Sequence, residues 1–183
     1  MKKMGLVFMI AGISLLFFRD GVNGEYEFEN KETLRDIKSI SVFLGVLNPD
    51  VEKAGLSEDT IQKDVELQLR MAGIKVVPVY FPMSGSVLLV NPDIIEYAQI
   101  SKLLKSKFFF VTIRLQIIQG VSLLRNSTMS FSATTWETDY HFTVGEEKLE
   151  KSVKDSLKNL VDKFLNDYLA VNSIQSSTPQ GKQ

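Results

Sequence analysis

Two long alternating runs joined by a short polar turn constrain the fold more than any other feature of this sequence. Residues Phe108–Leu124 form the longest strand-like run, in which apolar and polar side chains largely alternate. After the turn Arg125-Asn126-Ser127, the run Thr128–Thr138 repeats the pattern, and residues 140–144 continue it beyond a break near Asp139. Because side chains on a strand point alternately to opposite faces, these runs predict an antiparallel hairpin with one buried and one wet face.

Three strands and one helix are predicted ahead of this hairpin. Residues 39–47 alternate as a strand, and residues 74–80 and 87–91 also have the composition of strands. Between the first two strands, Ser57 is a suitable N-cap and Gly73 a suitable C-terminal residue for a helix. The apolar residues of this helix recur at helical spacing and form one stripe, made of Ile61, Val65, Leu69 and Ala72.

The remaining segments predict the edge of the sheet and the end of the domain. Pro78 has no N–H to donate, so its strand lies at a sheet edge or stops pairing there. Residues 92–107 fit a short helix with a basic end and a long loop almost equally well. Residues 146–171 then form an amphipathic helix whose apolar stripe must lie on a sheet.

These elements predict an α+β fold in the order β-α-β-β-β-β-α. We expect a single mixed, mainly antiparallel sheet of about five strands, with the two main helices packed on one face. The predicted organisation is a signal peptide over residues 1–24, a flexible leader over 25–33, and one domain over 34–172. The tail over residues 173–183 is rich in Ser, Gln, Thr and Pro and is expected to be disordered.

The first 24 residues have the pattern of a secretory signal peptide. Lys2 and Lys3 precede an apolar run of 13 residues, Leu6–Phe18, and Gly24 is the small residue at the predicted cleavage site. A membrane span needs about 20 apolar residues, so this run is short, and an uncleaved anchor is the alternative. Cleavage would leave no stable membrane anchor. We therefore expect an exported protein, periplasmic or, as the alternative, extracellular.

The absence of cysteine and the charge balance exclude several classes of protein. Without Cys the chain cannot carry a lipoprotein anchor or a disulfide, so its core must provide its stability. The chain has 21 basic and 22 acidic residues; without residues 1–24 it has 18 and 21, a net charge of −3. Nucleic-acid binding usually needs a basic surface, so no nucleic-acid partner is expected.

No set of residues amounts to a catalytic, cofactor or metal site in the sequence. His141 is the only histidine and there is no Cys, which excludes a His/Cys zinc site. Asp162 and Asp167 are five residues apart on a helix, so we expect them to point in different directions on a solvated face. A hydrolase becomes plausible only if acidic and basic side chains meet in one cleft, namely Arg114, Glu137, Asp139 and His141.

The best candidates for binding a partner lie on the second face of the predicted hairpin. Alternation places five side chains there that combine polar donors with one aromatic ring: Arg114, Gln116, Ser132, Thr134 and Trp136. Arg and aromatic residues are favoured at interface hot spots. For Trp136 the alternative is a core position beneath a helix, because Trp is highly buried on average.

Several segments resemble a group of short exported bacterial proteins to which no activity is attached. The resemblance covers most of residues 34–172 and rests on four segments: residues 61–77, 119–123 with Arg125 and Asn126, 133–136 and 160–172. The helix followed by Gly73-Ile74-Lys75-Val76-Val77 is also similar to small envelope domains such as the amino-terminal domain of TolB, and to lipoprotein activators of penicillin-binding proteins. These domains bind other proteins, which implies a binding role here; the missing lipidation Cys departs from the lipoproteins.

The sequence thus favours a non-catalytic periplasmic module that binds other envelope proteins or itself and needs no cofactor. One alternative is an envelope hydrolase that uses carboxylates. Another is a structural subunit that self-assembles through an open strand edge, with Pro78 as a partial guard.

Cleavage of the predicted signal peptide can be tested by the mass of the exported protein. We expect a chain that begins at Glu25, because the small residue Gly24 ends the signal pattern. Intact-mass spectrometry of the protein from the envelope fraction measures this directly. A mass that retains Met1 would contradict cleavage and favour the uncleaved anchor.

Overall fold

The structure of the protein is a computed structural model, and it describes residues 31–47, 52, 55–79 and 85–172. The predicted signal peptide, residues 25–30 of the predicted leader and the predicted tail lie outside the described residues. The strands are β1 (Ile40–Leu44), β2 (Ser86–Glu96), β3 (Phe108–Leu123) and β4 (Asn126–Gly145). The helices are α1 (Glu58–Met71), α2 (Ala98–Leu104) and α3 (Leu149–Asn172), with short 3-10 turns at Lys31–Leu34 and Glu146–Lys148.

The four strands form one mixed sheet in the order β1-β2-β3-β4. Strands β1 and β2 are parallel, whereas β2 pairs antiparallel with β3, and β3 with β4. The predicted α+β class and the mixed, mainly antiparallel sheet are therefore confirmed. The predicted count of about five strands corresponds to these four strands and one isolated parallel bridge between Ile40 and Val76.

The segment predicted as a strand over residues 74–80 pairs only briefly, beside β1. The backbone N–H of Ile40 donates to the Lys75 carbonyl at 2.9 Å, and that of Val77 donates to the Ile40 carbonyl at 3.0 Å. Pro78 follows and has no N–H to extend the ladder. Pairing thus ends at the proline, as its chemistry predicts, and Tyr80 lies outside the described residues.

Strand β2 is longer than predicted and resolves the ambiguous segment 92–107. It continues through Pro92 to Glu96, and α2 follows at Ala98, so the segment contains the end of a strand and a short helix. A proline is tolerated there because β1 ends at Leu44, opposite Val90, and among the described strands only β3 pairs with β2 beyond that point.

Helix α1 forms as its capping residues predict. The Ser57 hydroxyl accepts a hydrogen bond from the Thr60 N–H at 3.2 Å, and Gly73 adopts the left-handed conformation with φ of 83°. On the outer side of the helix, Gln62 donates to Glu66 at 2.9 Å, and this hydrogen bond, with the nearby Arg70, lowers the pKa of the Glu66 carboxyl. The predicted stripe faces the core, where its buried members are Ile61, Val65 and Leu69.

Both long helices cover the same face of the sheet and share one core with it. Phe164 of α3 and Leu115 of β3 are completely buried in this core, together with Val65 of α1. Helix α3 begins at Leu149, three residues later than predicted, because residues 146–148 form a 3-10 turn. This one-sided packing leaves the other face of the sheet free of both long helices.

The segment ahead of β1, residues 31–37, is tied to the end of α3. The Tyr168 hydroxyl donates to the Ile37 carbonyl at 2.9 Å, and the Asn172 amide donates to the Leu34 carbonyl at 3.0 Å. The Thr33 hydroxyl donates to the Thr135 carbonyl of β4 at 2.9 Å. The Lys31–Leu34 turn is also joined to α3 by an ion pair between the Lys31 ammonium and the Asp167 carboxylate at 3.3 Å.

Replacing Phe164 by alanine tests the shared core. We expect Phe164→Ala to lower the free energy of unfolding by about 3–5 kcal/mol, because it leaves a cavity where the ring is completely buried. Leu67→Ala on the outer side of α1, where the side chain is 55% exposed, is the matched control and should change it by about 0.5 kcal/mol or less. Urea unfolding measures both; equal losses would contradict the packing of α3 on the sheet.

Candidate functional site

A β-bulge at Thr135 decides which side chains of the hairpin share a face. Ile117 pairs with Trp136, but the next residue, Ile118, pairs with Thr134, so Thr135 is an extra residue in β4. The Thr135 hydroxyl donates to the Gln119 side chain at 2.6 Å. Neighbouring residues of β3 point to opposite faces, so their partners Thr134 and Trp136 do as well. Strand β4 is otherwise continuous through Asp139, where a break was predicted.

Trp136 therefore belongs to the core and not to the exposed face proposed from the alternation. It is 3% exposed, and its ring centre lies 5.1 Å from that of Phe164 in an edge-to-face arrangement. Its indole N–H donates to the Asp167 carboxylate at 3.1 Å. The core alternative for Trp136 is correct, and the grouping with the other four candidates is wrong for this residue because the bulge reverses the alternation.

Asp167 is also buried, which corrects the prediction of a solvated position. The residue is 9% exposed, and its second carboxylate oxygen lies 3.3 Å from the Lys31 ammonium. The sequence contains a signal for this burial. Asp167 lies three residues after Phe164 and four before Val171, which places it within the apolar stripe of the helix. A buried carboxylate needs partners, and Trp136 and Lys31 supply them.

The other four candidates do share the sheet face away from α1 and α3, called here the open face. Arg114 and Gln116 pair across the hairpin with Asp139 and Glu137, while Thr134 and Ser132 lie opposite Ile118 and Gly120. Gln116 donates to the Glu137 carboxylate at 3.0 Å. The open face thus carries polar side chains on both β3 and β4, with Ile118 and Gly120 among them.

Three charged or titratable side chains, Arg114, Asp139 and His141, meet on this open face. The Asp139 carboxylate lies 3.7 Å from the Arg114 guanidinium and 3.6 Å from His141 Nε2, and His141 Nδ1 lies 3.2 Å from the Thr112 hydroxyl. The side chains of Arg114, Asp139 and His141 are 44%, 42% and 51% exposed. These groups therefore lie on the exposed surface of the sheet.

Strand β4 is the edge of the sheet on this side, and its bulge at Thr135, a feature that can protect an edge from pairing, lies upstream of residue 137. Within the residues that the structure describes, it pairs only with β3. Its 20 residues contain no Lys, Arg or Pro, the residues that commonly protect edge strands from pairing with other chains. Upstream, the Thr135 carbonyl already accepts a hydrogen bond from the Thr33 hydroxyl. We call the downstream part, residues 137–143, the open edge.

A groove between β4 and α3 runs along the other side of the open edge. Its volume is about 350 Å³, and it is lined by Thr138, Asp139, Tyr140, Ser156, Asn159, Leu160 and Lys163. The α3 residues follow helical spacing and therefore project from one side of the helix. Sequence reasoning missed the groove because it depends on the distance between a helix and a strand, which no local pattern specifies.

The far end of the hairpin adds exposed apolar side chains to the same strand. Strand β2 begins at Ser86, and Val87 is opposite Ile118, so β3 and β4 extend beyond β2. On this extension Met129 is 55% and Phe131 47% exposed. Strand β4 thus combines an open edge with apolar surface.

Comparison with known proteins adds no family to this description. No protein-family model matches the chain, and no curated protein is significantly similar to it in sequence. Among the helices that the structure describes, none is long and apolar enough to cross a membrane. Over the same residues, no group of three or more His, Asp or Glu side chains is placed to hold a metal ion.

Replacing Asp167 by alanine tests the buried hydrogen bond to Trp136. We expect Asp167→Ala to lower the free energy of unfolding by about 1–3 kcal/mol, because it leaves the buried indole N–H without an acceptor. Asp162→Ala, five residues away, is the control: Asp162 pairs with Lys158 at the surface, and its loss should cost about 0.5 kcal/mol or less. Trp136 is the only tryptophan, so urea unfolding followed by its fluorescence reports on both variants. Equal effects would contradict the buried bond.

Proposed function

We propose that this protein is a non-catalytic protein-binding or assembly module of the cell envelope, and that it works through the open edge of β4. The observation that carries the proposal is the position of β4. The longest strand of the sheet lies at its edge and contains no Lys, Arg or Pro. An edge of this kind can add a strand from another chain, which is a common mode of peptide recognition.

The polar groups on the open face support binding over acid–base chemistry. A hydrolase would require Arg114, Glu137, Asp139 and His141 to converge in a cleft that excludes water. Arg114, Asp139 and His141 meet instead on a sheet surface, where their side chains are between 42% and 51% exposed, and Glu137 pairs with Gln116 on the same face. Groups so exposed can form hydrogen bonds and ion pairs at the rim of a protein interface.

The proposed compartment is the periplasm, and the proposed partners are other envelope proteins or a second copy of this chain. The signal-peptide pattern of residues 1–24 supports export. The resemblance to exported bacterial proteins and to the amino-terminal domain of TolB supports a binding role, since domains of the latter kind bind proteins. A fold likeness carries little weight by itself, and the open edge is the stronger support.

Site-specific photo-crosslinking in the source cells tests this function. We expect a benzophenone amino acid at Tyr140 or Thr143, both exposed on the open edge, to form discrete crosslinked products that gel electrophoresis resolves. The same group at Leu67 or Met71, exposed on α1, is the matched control and should give only background. Mass spectrometry of the product distinguishes another envelope protein from a second copy of the chain.

Two outcomes would count against the proposal. Crosslinks that are as strong at α1 as at β4 would show that the edge is not the binding surface. A complete lack of products at all four positions would argue against a stable partner in the envelope.

A further inference from the structure

We infer that the open edge of β4 accepts an extended segment in which basic residues alternate with apolar ones. This inference rests on the proposed function and specifies the chemistry of the partner. Three features of the structure carry it: the acidic side chains on one side of the edge, the groove on the other side, and the alternation that any added strand imposes.

The open-face side of the edge carries two carboxylates. Glu137 accepts a hydrogen bond from the neutral Gln116, and Asp139 lies 3.7 Å from Arg114, so two negative charges meet one positive charge. The remaining titratable group on this side of the open edge is His141. Side chains directly opposite each other on paired strands are about 4.5–5.5 Å apart, and opposite charges there are favourable. Lys or Arg on an added strand would therefore be stabilised here.

The helix side of the edge favours apolar residues. Tyr140 lines the groove, is 52% exposed, and has its ring centre 5.7 Å from that of Phe142. Lys163 also lines this groove, so the helix side carries a basic group and, among the described lining residues apart from Asp139, which also lies on the open face, no acidic side chain. An apolar side chain of a partner can cover the exposed ring of Tyr140 and gain from that burial.

Alternation joins these two requirements into one sequence pattern. A strand added to residues 137–143 places every second side chain near Glu137 and Asp139, and the intervening ones near Thr138 and Tyr140. The backbone hydrogen bonds of an added strand form regardless of its sequence, whereas its side-chain pattern provides selectivity. The bond between Thr33 and the Thr135 carbonyl sets the upstream limit of the site.

Peptide binding by the full chain tests the inference. The probe is a fluorescently labelled peptide of about seven residues, an ordinary strand length, that alternates lysine and valine. One control peptide has the same composition with its lysines and valines in separate blocks, and another alternates glutamate and valine. Fluorescence anisotropy at low ionic strength measures the affinity. We expect the alternating basic peptide to bind about tenfold or more tightly than either control.

Charge-reversed variants assign the selectivity to Glu137 and Asp139. We expect E137K/D139K to weaken binding of the basic peptide by about tenfold and to bind the glutamate–valine peptide instead. D64K/D155K, which makes the same change of net charge at exposed helix positions, should stay within about twofold of the native protein. E137Q/D139N, which removes the charges without adding repulsion, should show an intermediate loss and serves if the reversed variant does not fold.

N-methylated peptides test the strand pairing independently of charge. The N–H groups of an added strand point alternately toward β4 and away from it. Methylation of one alternate set should abolish binding, and methylation of the other set should leave it unchanged.

The outcomes separate the inference from the proposed function. Equal binding of basic and glutamate-containing alternating peptides, with one methylated set still blocking, would overturn the basic partner but keep the open edge as the binding surface. Equal weakening by E137K/D139K and D64K/D155K would likewise overturn the role of the two carboxylates. No binding of any alternating peptide, or binding that neither methylated set affects, would count against both.

Discussion

The contact between Trp136 and α3 is the interaction on which the rest of the structure depends. The indole ring packs edge-to-face on Phe164, and its N–H bonds to Asp167, whose carboxylate also meets Lys31. One buried side chain thus connects the edge strand, the long helix and the segment that precedes β1. A buried aromatic pair contributes about 0.5–1.5 kcal/mol beyond its hydrophobic burial. The hydrogen bond to a charged acceptor adds about 1.5–3 kcal/mol.

The two surfaces of β4 follow from this contact. Trp136 must point toward α3, and the bulge at Thr135 allows this while Thr134 stays on the open face. The helix is then anchored beside residue 136, and downstream a groove remains between it and Thr138 and Tyr140. Strand β4 therefore presents a polar face, a groove and an edge within one short stretch.

The candidate site was predicted only in part, and the reason differs for each residue. Arg114 and Gln116 were placed correctly because β3 is regular, so simple alternation predicts their face. Trp136 was misplaced because a bulge shifts the alternation by one residue and has no strong signal in a Thr-Thr pair. The groove depends on long-range packing, because Tyr140 and Leu160 are far apart in the chain.

The sequence by itself determined the local elements and the fold class. Ser57 and Gly73 cap α1, Pro78 ends the pairing beside β1, and alternation defines the hairpin. Helix capping, the missing N–H of proline and the alternation of side chains along a strand each act over only a few residues. The tertiary structure decided which strand became the edge, where the bulge lies and that Asp167 is buried. Each of these depends on contacts between residues distant in sequence, such as Trp136 with Asp167 and Thr33 with Thr135, and no local pattern contains those distances.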